Sequence, residues 1–343
     1  MKTQQMNHLI SPSDKFFIAG ATGMAGGSIA RALTRAGYGQ QAEGGALITP
    51  PRAEVDLLDA EAVDGWFRNT SPSVVVLAAA TVGGIEANRS RPTDFLLNNL
   101  KLQNNVIESA WRHSAKRLLF LGSSCIYPKF AQQPIREEAL LSGALEPTNE
   151  WYAIAKISGI KLCEALRRQH GFDAISLMPT NLYGTGDNYH PTNSHVLPAL
   201  LRRFHEAKTR GDASVTCWGS GTPLREFLHA DDLGAACVFA LEHWSAMADD
   251  APQNEAGQPL AFLNVGTGVD LTIRALAELI AAVVGFSGDL LWDTSKPDGT
   301  PKKQLDVSRL RSMGWSASIS LADGLQRAYA DFQAALATEQ LRG

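Results

Sequence analysis

The sequence predicts an α/β protein: a doubly wound parallel sheet joined to a smaller mixed α/β lobe. Three observations predict it. Short apolar runs alternate five times with helix-length amphipathic segments between residues 16 and 178, the rhythm of a sheet wound by crossover helices. The run 73–80 is apolar almost throughout, as in a parallel strand covered on both faces. A turn with three glycines links the first apolar run to the first helical segment.

The elements follow in order. Residues 1–14 are polar and lack an apolar signal core, so they are expected as a disordered arm. Residues 16–20 read as the first strand and 24–36 as a helix closed by Gly37. Strands are expected at 46–49, 73–80, 117–122 and 174–178, and helices at 59–69, 92–113 and 149–169. After residue 180 the rhythm loosens. A Gly/Asn/Pro-rich loop at 181–193 precedes a helix at 194–209, a strand at 215–218 and a helix at 232–245. A polar insert at 247–259 is expected on the surface. It is followed by a strand at 262–265, a helix at 273–284 and a helix from Leu321 onward. The domain reading is therefore an arm (1–14), a sheet domain (15–180) and a lobe (181–343), with some later segments returning to the sheet domain.

Composition narrows the function classes. At roughly 150 residues per domain, 343 residues suit two lobes. Apolar residues at 45% and charged residues at 19% are ordinary for a globular chain and exclude coiled coil and disorder. With 31 basic and 35 acidic residues, the net charge of −4 gives no sign of a nucleic-acid binder, while the balance leaves room for a local basic pocket. The longest apolar run, 74–80, is far shorter than the roughly 18 residues of a membrane span. The four cysteines, at 125, 163, 217 and 237, form no Cys-x-x-Cys pair. They read as reduced thiols of a cytoplasmic protein, with no metal site.

The glycine turn is Gly20-Ala21-Thr22-Gly23-Met24-Ala25-Gly26. Between a strand and a helix, such glycines allow a tight turn, close backbone approach to a pyrophosphate, and close helix packing. The helix N-terminus then faces the phosphates. The motif points to a Rossmann-type dinucleotide site, and its G-x-x-G-x-x-G spacing resembles the extended short-chain dehydrogenase/reductases. An acid that would read a ribose 2′-hydroxyl is missing at the end of the second strand, where the chain runs Thr49-Pro50-Pro51-Arg52. Arg52 suits a 2′-phosphate instead, so the expected cofactor is NADP(H).

Tyr152 and Lys156 stand four apart on one helix face. A free tyrosine, with a pKa of about 10, is a poor proton donor or acceptor near neutrality until a cation stabilises its phenolate; Lys156 would supply that charge and also reach the cofactor ribose. The fourth strand ends at Leu121-Gly122-Ser123-Ser124-Cys125, and ligand chemistry in such sheets lies beyond the carboxyl ends of strands. Ser123 is placed to donate to a substrate carbonyl. Cys125 follows it by two residues, where a side chain faces the same pocket. His195 closes a polar loop at a helix start and would titrate near neutrality. From spacing alone it reads equally as a structural or capping residue. A cysteine and a histidine beside a reductase set suggest a second proton-transfer task.

With these residues in place, the chain resembles the GDP-L-fucose synthase family from about residue 15 onward. The carrying segments are LGSSCIYPK (121–129), EPTNEWYAIAKISGIKLCE (146–164), MPTNLYG (178–184), NSHVLPALLRRFHEA (193–207), WGSGTPLREFLHADD (218–232), NVGTGVD (264–270) and KPDGTPKK (296–303). The resemblance implies 3,5-epimerisation of GDP-4-keto-6-deoxy-D-mannose and NADPH-dependent reduction at C4. It implies Ser123, Tyr152 and Lys156 for reduction, with Cys125 as base and His195 as acid for epimerisation. Cofactor contacts would fall on Gly20, Ala21, Thr22, Gly23, Met24, Ala25 and Gly26, on Leu121, Gly122, Ser123 and Ser124, on Lys156, on Pro179, Thr180, Asn181 and Leu182, and on His195. Arg203, Trp218, Arg225 and Asp298 match substrate positions, Asp56 would lie near the adenine, and a homodimer is implied. Two features depart from the family pattern: Thr22 stands where some relatives carry a basic residue, and the insert at 247–259 is unusual. Rival readings are a 4-epimerase, a 4,6-dehydratase and a dinucleotide sensor. A dehydratase needs an acid beside the fourth strand, which Ser124-Cys125-Ile126 lacks. A 4-epimerase has no use for the added Cys and His, and a sensor usually loses Tyr or Lys.

Overall fold

The computed structural model describes residues 8–296 and 298–342. In chain order the first half runs β1 (Lys15–Ala19), α1 (Met24–Arg35), β2 (Ala46–Ile48), α2 (Ala60–Thr70), β3 (Val74–Leu77), α3 (Ile85–Ser90), α4 (Asn99–Arg112), β4 (Arg117–Leu121), α5 (Glu150–His170) and β5 (Ala174–Pro179). The second half contains β6 (Asn181–Tyr183), α6 (Val196–Arg210), β7 (Ser214–Trp218), β8 (Leu224–His229), α7 (Ala230–His243), β9 (Phe262–Val265) and β10 (Asp270–Thr272). It ends with α8 (Ile273–Val284), β11 (Asp289–Asp293), β12 (Lys302–Lys303), α9 (Ser308–Ser312) and α10 (Leu321–Ala337).

Six parallel strands form the main sheet in the order β2-β1-β3-β4-β5-β9. Every residue of β3, β4 and β5 is buried, as the uninterrupted apolar runs require of strands covered by helices on both faces. One apolar core lies on each face: Ile29, Leu33 and Leu233 belong to one, Phe67, Ile107 and Ile160 to the other. β9 enters this sheet from far along the chain and pairs with β5. The smaller lobe holds β8 paired with β6, β10 and β12, and a separate β7–β11 pair. α6, α8 and α10 supply its core through Leu201, Phe204, Ile280 and Phe332.

Local chemistry explains most helix ends. The Asp59 carboxylate accepts from the N–H groups of Glu61 and Ala62 and caps α2. α5 stops at Gly171, whose φ of +67° closes the helix in the left-handed region. The helix expected over 92–113 runs without a break from 92 to 112, with one irregular turn. Residues Asp94–Asn98 form a π turn before α4 begins. The buried Asn99 side chain donates to Phe95 O and Thr81 O and accepts from Thr81 N. It ties the loop after β3 to this helix, and π turns of this kind cluster at functional sites. Part of the expected N-terminal arm is also ordered: Ile10 is buried and Leu9 N–H donates to Glu242 O. Residues 1–7 lie outside the described residues. Five strands escaped the sequence reading: β6, β8, β10, β11 and β12.

Candidate active site

The carboxyl ends of the parallel strands open onto a cavity of about 900 Å³, large for a single small ligand. Every residue singled out from the sequence lines it: 20–26, Arg52, 121–125, Tyr152, Lys156, 179–182, His195, Arg203, Trp218, Arg225 and Asp298. Several wall residues were missed, among them Thr81, Asn88, Asn149, Asp187, Lys303 and Arg342. The loop after β3 could have been found, because it too leaves the carboxyl end of a strand. Lys303 and Arg342 carried no such signal.

At one end of the cavity the glycine turn meets α1. A Cβ on Gly26 would lie 2.2 Å from Gly20 O, and one on Gly20 would lie 2.7 Å from Ala79 N. These two glycines let helix, turn and strand close on one another. Gly23 differs in degree: the atoms nearest its added Cβ, Gly20 O and an Arg342 nitrogen, are 3.3 and 3.8 Å away, so a side chain there would crowd the turn without a clash. No side chain caps α1 and no acid sits in its first turn. Its leading N–H groups therefore present uncompensated positive character to the cavity. A dinucleotide pyrophosphate fits this cradle. Arg52 stands at the rim, exposed, within 3.3 Å of the Asp56 carboxylate. Leu58 N–H and then Arg52 hold that carboxylate below its ordinary pKa.

In the middle of the cavity β4 ends in a short 3-10 turn, Ser124–Ile126, which carries Cys125. Ser123 Oγ accepts from Cys125 N–H at 3.4 Å. Burial raises the Cys125 pKa; the charges of Lys303 and Lys156 and the Ser123 hydroxyl pull it back. α5 brings Tyr152 and Lys156 to the same wall. Lys156 is 3% exposed, and burial lowers its pKa to about 8. Its Nζ donates to Leu121 O at 2.7 Å and sits 4.6 Å from the centre of the Phe120 ring and 5.8 Å from that of Tyr152. The pairing expected from the sequence, in which Lys156 holds a phenolate, differs from this resting arrangement. Burial and the Cys125 charge keep the Tyr152 phenol well above its ordinary pKa, while the ammonium is satisfied by a backbone carbonyl. His195 is the N-cap of α6, yet its side chain makes no capping bond. Its imidazole is thus left for the cavity, and desolvation in the cleft followed by the Lys303 charge lowers its pKa.

At the far end Arg203 donates to Thr216 O at 2.8 Å and stacks 5.5 Å from the Trp218 ring. Arg225 donates to Asp298 O at 3.3 Å. The Asp298 carboxylate accepts from Ser220 N–H and Ser220 Oγ, each at 2.8 Å. An exposed indole and two guanidinium groups form a surface suited to a flat base and a diphosphate.

A glycine turn at the first strand and a Ser, Tyr and Lys set at the fourth define a dinucleotide-dependent oxidoreductase of short-chain type. The model of the NAD dependent epimerase/dehydratase family matches residues 16–252. GDP-L-fucose synthase 1 of Arabidopsis thaliana is 54% identical over 95% of this chain and 95% of its own length. GDP-L-fucose synthase of Escherichia coli K12 is 52% identical over 92% and 95%. Among solved structures, a GDP-mannoheptose C4 reductase of Campylobacter jejuni with NADP bound superposes with a TM-score of 0.83 at 34% identity, over 94% of this chain and 99% of that one. The chain belongs to the NAD dependent epimerase/dehydratase family and, within it, to the GDP-L-fucose synthases.

Proposed function

We propose that this chain converts GDP-4-keto-6-deoxy-D-mannose to GDP-L-fucose by inverting C3 and C5 and then reducing C4. The observation that carries the reading is that one cavity holds two sets of groups, Ser123, Tyr152 and Lys156 together with Cys125 and His195. A C4 reductase alone needs only the first set. The names of the relatives support the same reading.

The residues divide the work. Ser123 and Tyr152 would hold the C4 ketone oxygen, and that polarisation acidifies the protons on C3 and C5. Cys125, as thiolate, takes them; a pKa raised by burial makes the thiolate a stronger base, and Lys303 and Lys156 offset part of the cost of forming it. His195 returns a proton to the enolate on the other face, and its lowered pKa makes the imidazolium a readier donor. NADPH, held by the glycine turn, Arg52 and Lys156, supplies the hydride when bound. Tyr152 then gives its proton to the C4 oxygen, with Lys156 positioned to steady the phenolate. Arg203 and Arg225 would take the diphosphate and Trp218 would stack against the GDP end.

Two further readings belong here. The outer sides of α4 and α5 and the adjoining exposed Leu97 and Trp151 suit a homodimer built as a four-helix interface, checked by mass in solution from light scattering. The four cysteines are buried and unbridged, which suits the cytoplasm; no helix among the described residues is long and apolar enough to cross a membrane. The function is tested by incubating the purified protein with NADPH and GDP-4-keto-6-deoxy-D-mannose. The expected result is a fall in absorbance at the NADPH band and a product with the L-fuco configuration by proton NMR. A product reduced at C4 without inversion would overturn the reading.

A further inference from the structure

The segment after α10 folds back onto the glycine turn. Gln340 N–H bonds Ala335 O at 2.9 Å, and Leu341 packs against the core of the smaller lobe. Arg342 O accepts from Tyr189 N–H at 2.8 Å, and one terminal guanidinium nitrogen of Arg342 donates to Gly186 O at 3.0 Å. Gly186 itself lies against α1, with Met24 Cα 3.9 Å from the position of an added Cβ. Around the corresponding point on Gly23, two atoms fall within 4 Å: Gly20 O and that same Arg342 nitrogen, at 3.8 Å. The second glycine is therefore bordered by a cation. Arg342 makes no salt bridge among the described residues, so its remaining N–H groups are uncommitted.

We propose that Arg342 is a cofactor-phosphate ligand, its guanidinium binding the dinucleotide pyrophosphate opposite the N-terminus of α1. This rests on the reading of the cavity as a dinucleotide site and adds a contact that none of the sequence motifs suggested. Two independent features support it. Thr22 brings no charge into the glycine turn, so the positive character there comes from backbone N–H groups and from Arg342. The buried Asp187 on this side cancels it only in part: burial raises its pKa to about 7 against the pull of the Arg342 charge, and one of its oxygens has no partner. Arg342 is exposed to water and pinned through its backbone, so a phosphate can be gripped without burying an unpaired charge.

The test is fluorescence titration of NADPH and NADH into the wild type, Arg342→Ala, Arg342→Lys and Arg342→Gln, with thermal melts of each without cofactor. Removing one charge-assisted contact should weaken NADPH about tenfold to a hundredfold. NADH, which shares the pyrophosphate, should weaken by the same factor, Lys should recover part of the loss, and the cofactor-free melts should stay together. Unchanged affinity in Arg342→Ala overturns the proposal while leaving the dinucleotide reading standing. A loss confined to NADPH overturns it by moving the contact to the 2′-phosphate. Failure of the wild type to bind either nucleotide overturns both readings at once.

Discussion

Lys156 is a buried cation held where the proposed chemistry needs it, at a cost to stability that pH should reveal. In the folded chain its pKa falls from 10.5 to about 8 because burial penalises the ammonium. The sign follows from linkage. Between about pH 8 and 10.5 the unfolded chain binds a proton there that the folded chain does not, so stability rises with pH through that window. Below it both states are protonated, and the folded state carries the full penalty. A drop of about 2.5 pH units at about 1.36 kcal/mol each is about 3 kcal/mol, of which about 2.5 kcal/mol should be recovered between pH 7 and pH 10. Lys156→Met removes this titration. It also leaves Leu121 O without its donor, which costs about 1–3 kcal/mol, but that cost does not vary with pH. Urea unfolding of the cofactor-free protein with and without Lys156→Met at pH 7, 8, 9 and 10, in a Cys125→Ser background that removes the one thiol coupled to Lys156, isolates the effect, because titrations of distant groups cancel in the difference. The protein that keeps Lys156 should gain about 2.5 kcal/mol on the variant across the series, and the variant should not reduce substrate. A difference that stays flat with pH would refute the reasoning.

Three further outcomes are expected. Asp187 has a folded pKa raised to about 7 from an ordinary 3.8, so its ionisation costs stability as pH rises between those values; Asp187→Asn should be more stable than the wild type by about 2–4 kcal/mol at pH 8 and nearly equal at pH 4, by denaturant melts. Gly26→Ala places a Cβ 2.2 Å from Gly20 O and should lose about 2 kcal/mol or more together with cofactor binding, read by thermal melts and NADPH titration. Arg52→Ala should weaken NADPH about tenfold and leave NADH unchanged in isothermal titration, since the proposed partner of this exposed guanidinium is the 2′-phosphate.

The parts of this molecule that sequence reveals are those with local physical signatures. β1, β3, β4 and β5 are apolar because both faces of the sheet are covered, and α8 and α10 show helical periodicity, so their spans could be read closely. Most strands of the smaller lobe could not; β7 is the exception. β12 is two residues long and β6 and β10 are three, too short for alternation to register, and their partners lie far away: Lys303 pairs with Arg225. The π turn before α4 accompanies the reach of Asn99 to Thr81 across 18 positions, a contact no window shows. The site divides in the same way. The glycine turn and the Tyr152–Lys156 spacing carry their chemistry in their pattern. Cys125 and His195 gained meaning from the resemblance, and Lys303 and Arg342 only from the fold, which brings the far end of the chain to the first helix.

The central claim is that two chemistries share one cavity and can be separated by residue. The most direct measurement is mass-spectrometric deuterium uptake at C3 and C5 of the keto sugar in D₂O, alongside NADPH oxidation, for Cys125→Ser and Tyr152→Phe. Tyr152→Phe should incorporate deuterium without oxidising NADPH, and Cys125→Ser should lose incorporation. Full deuterium uptake in Cys125→Ser would contradict the account.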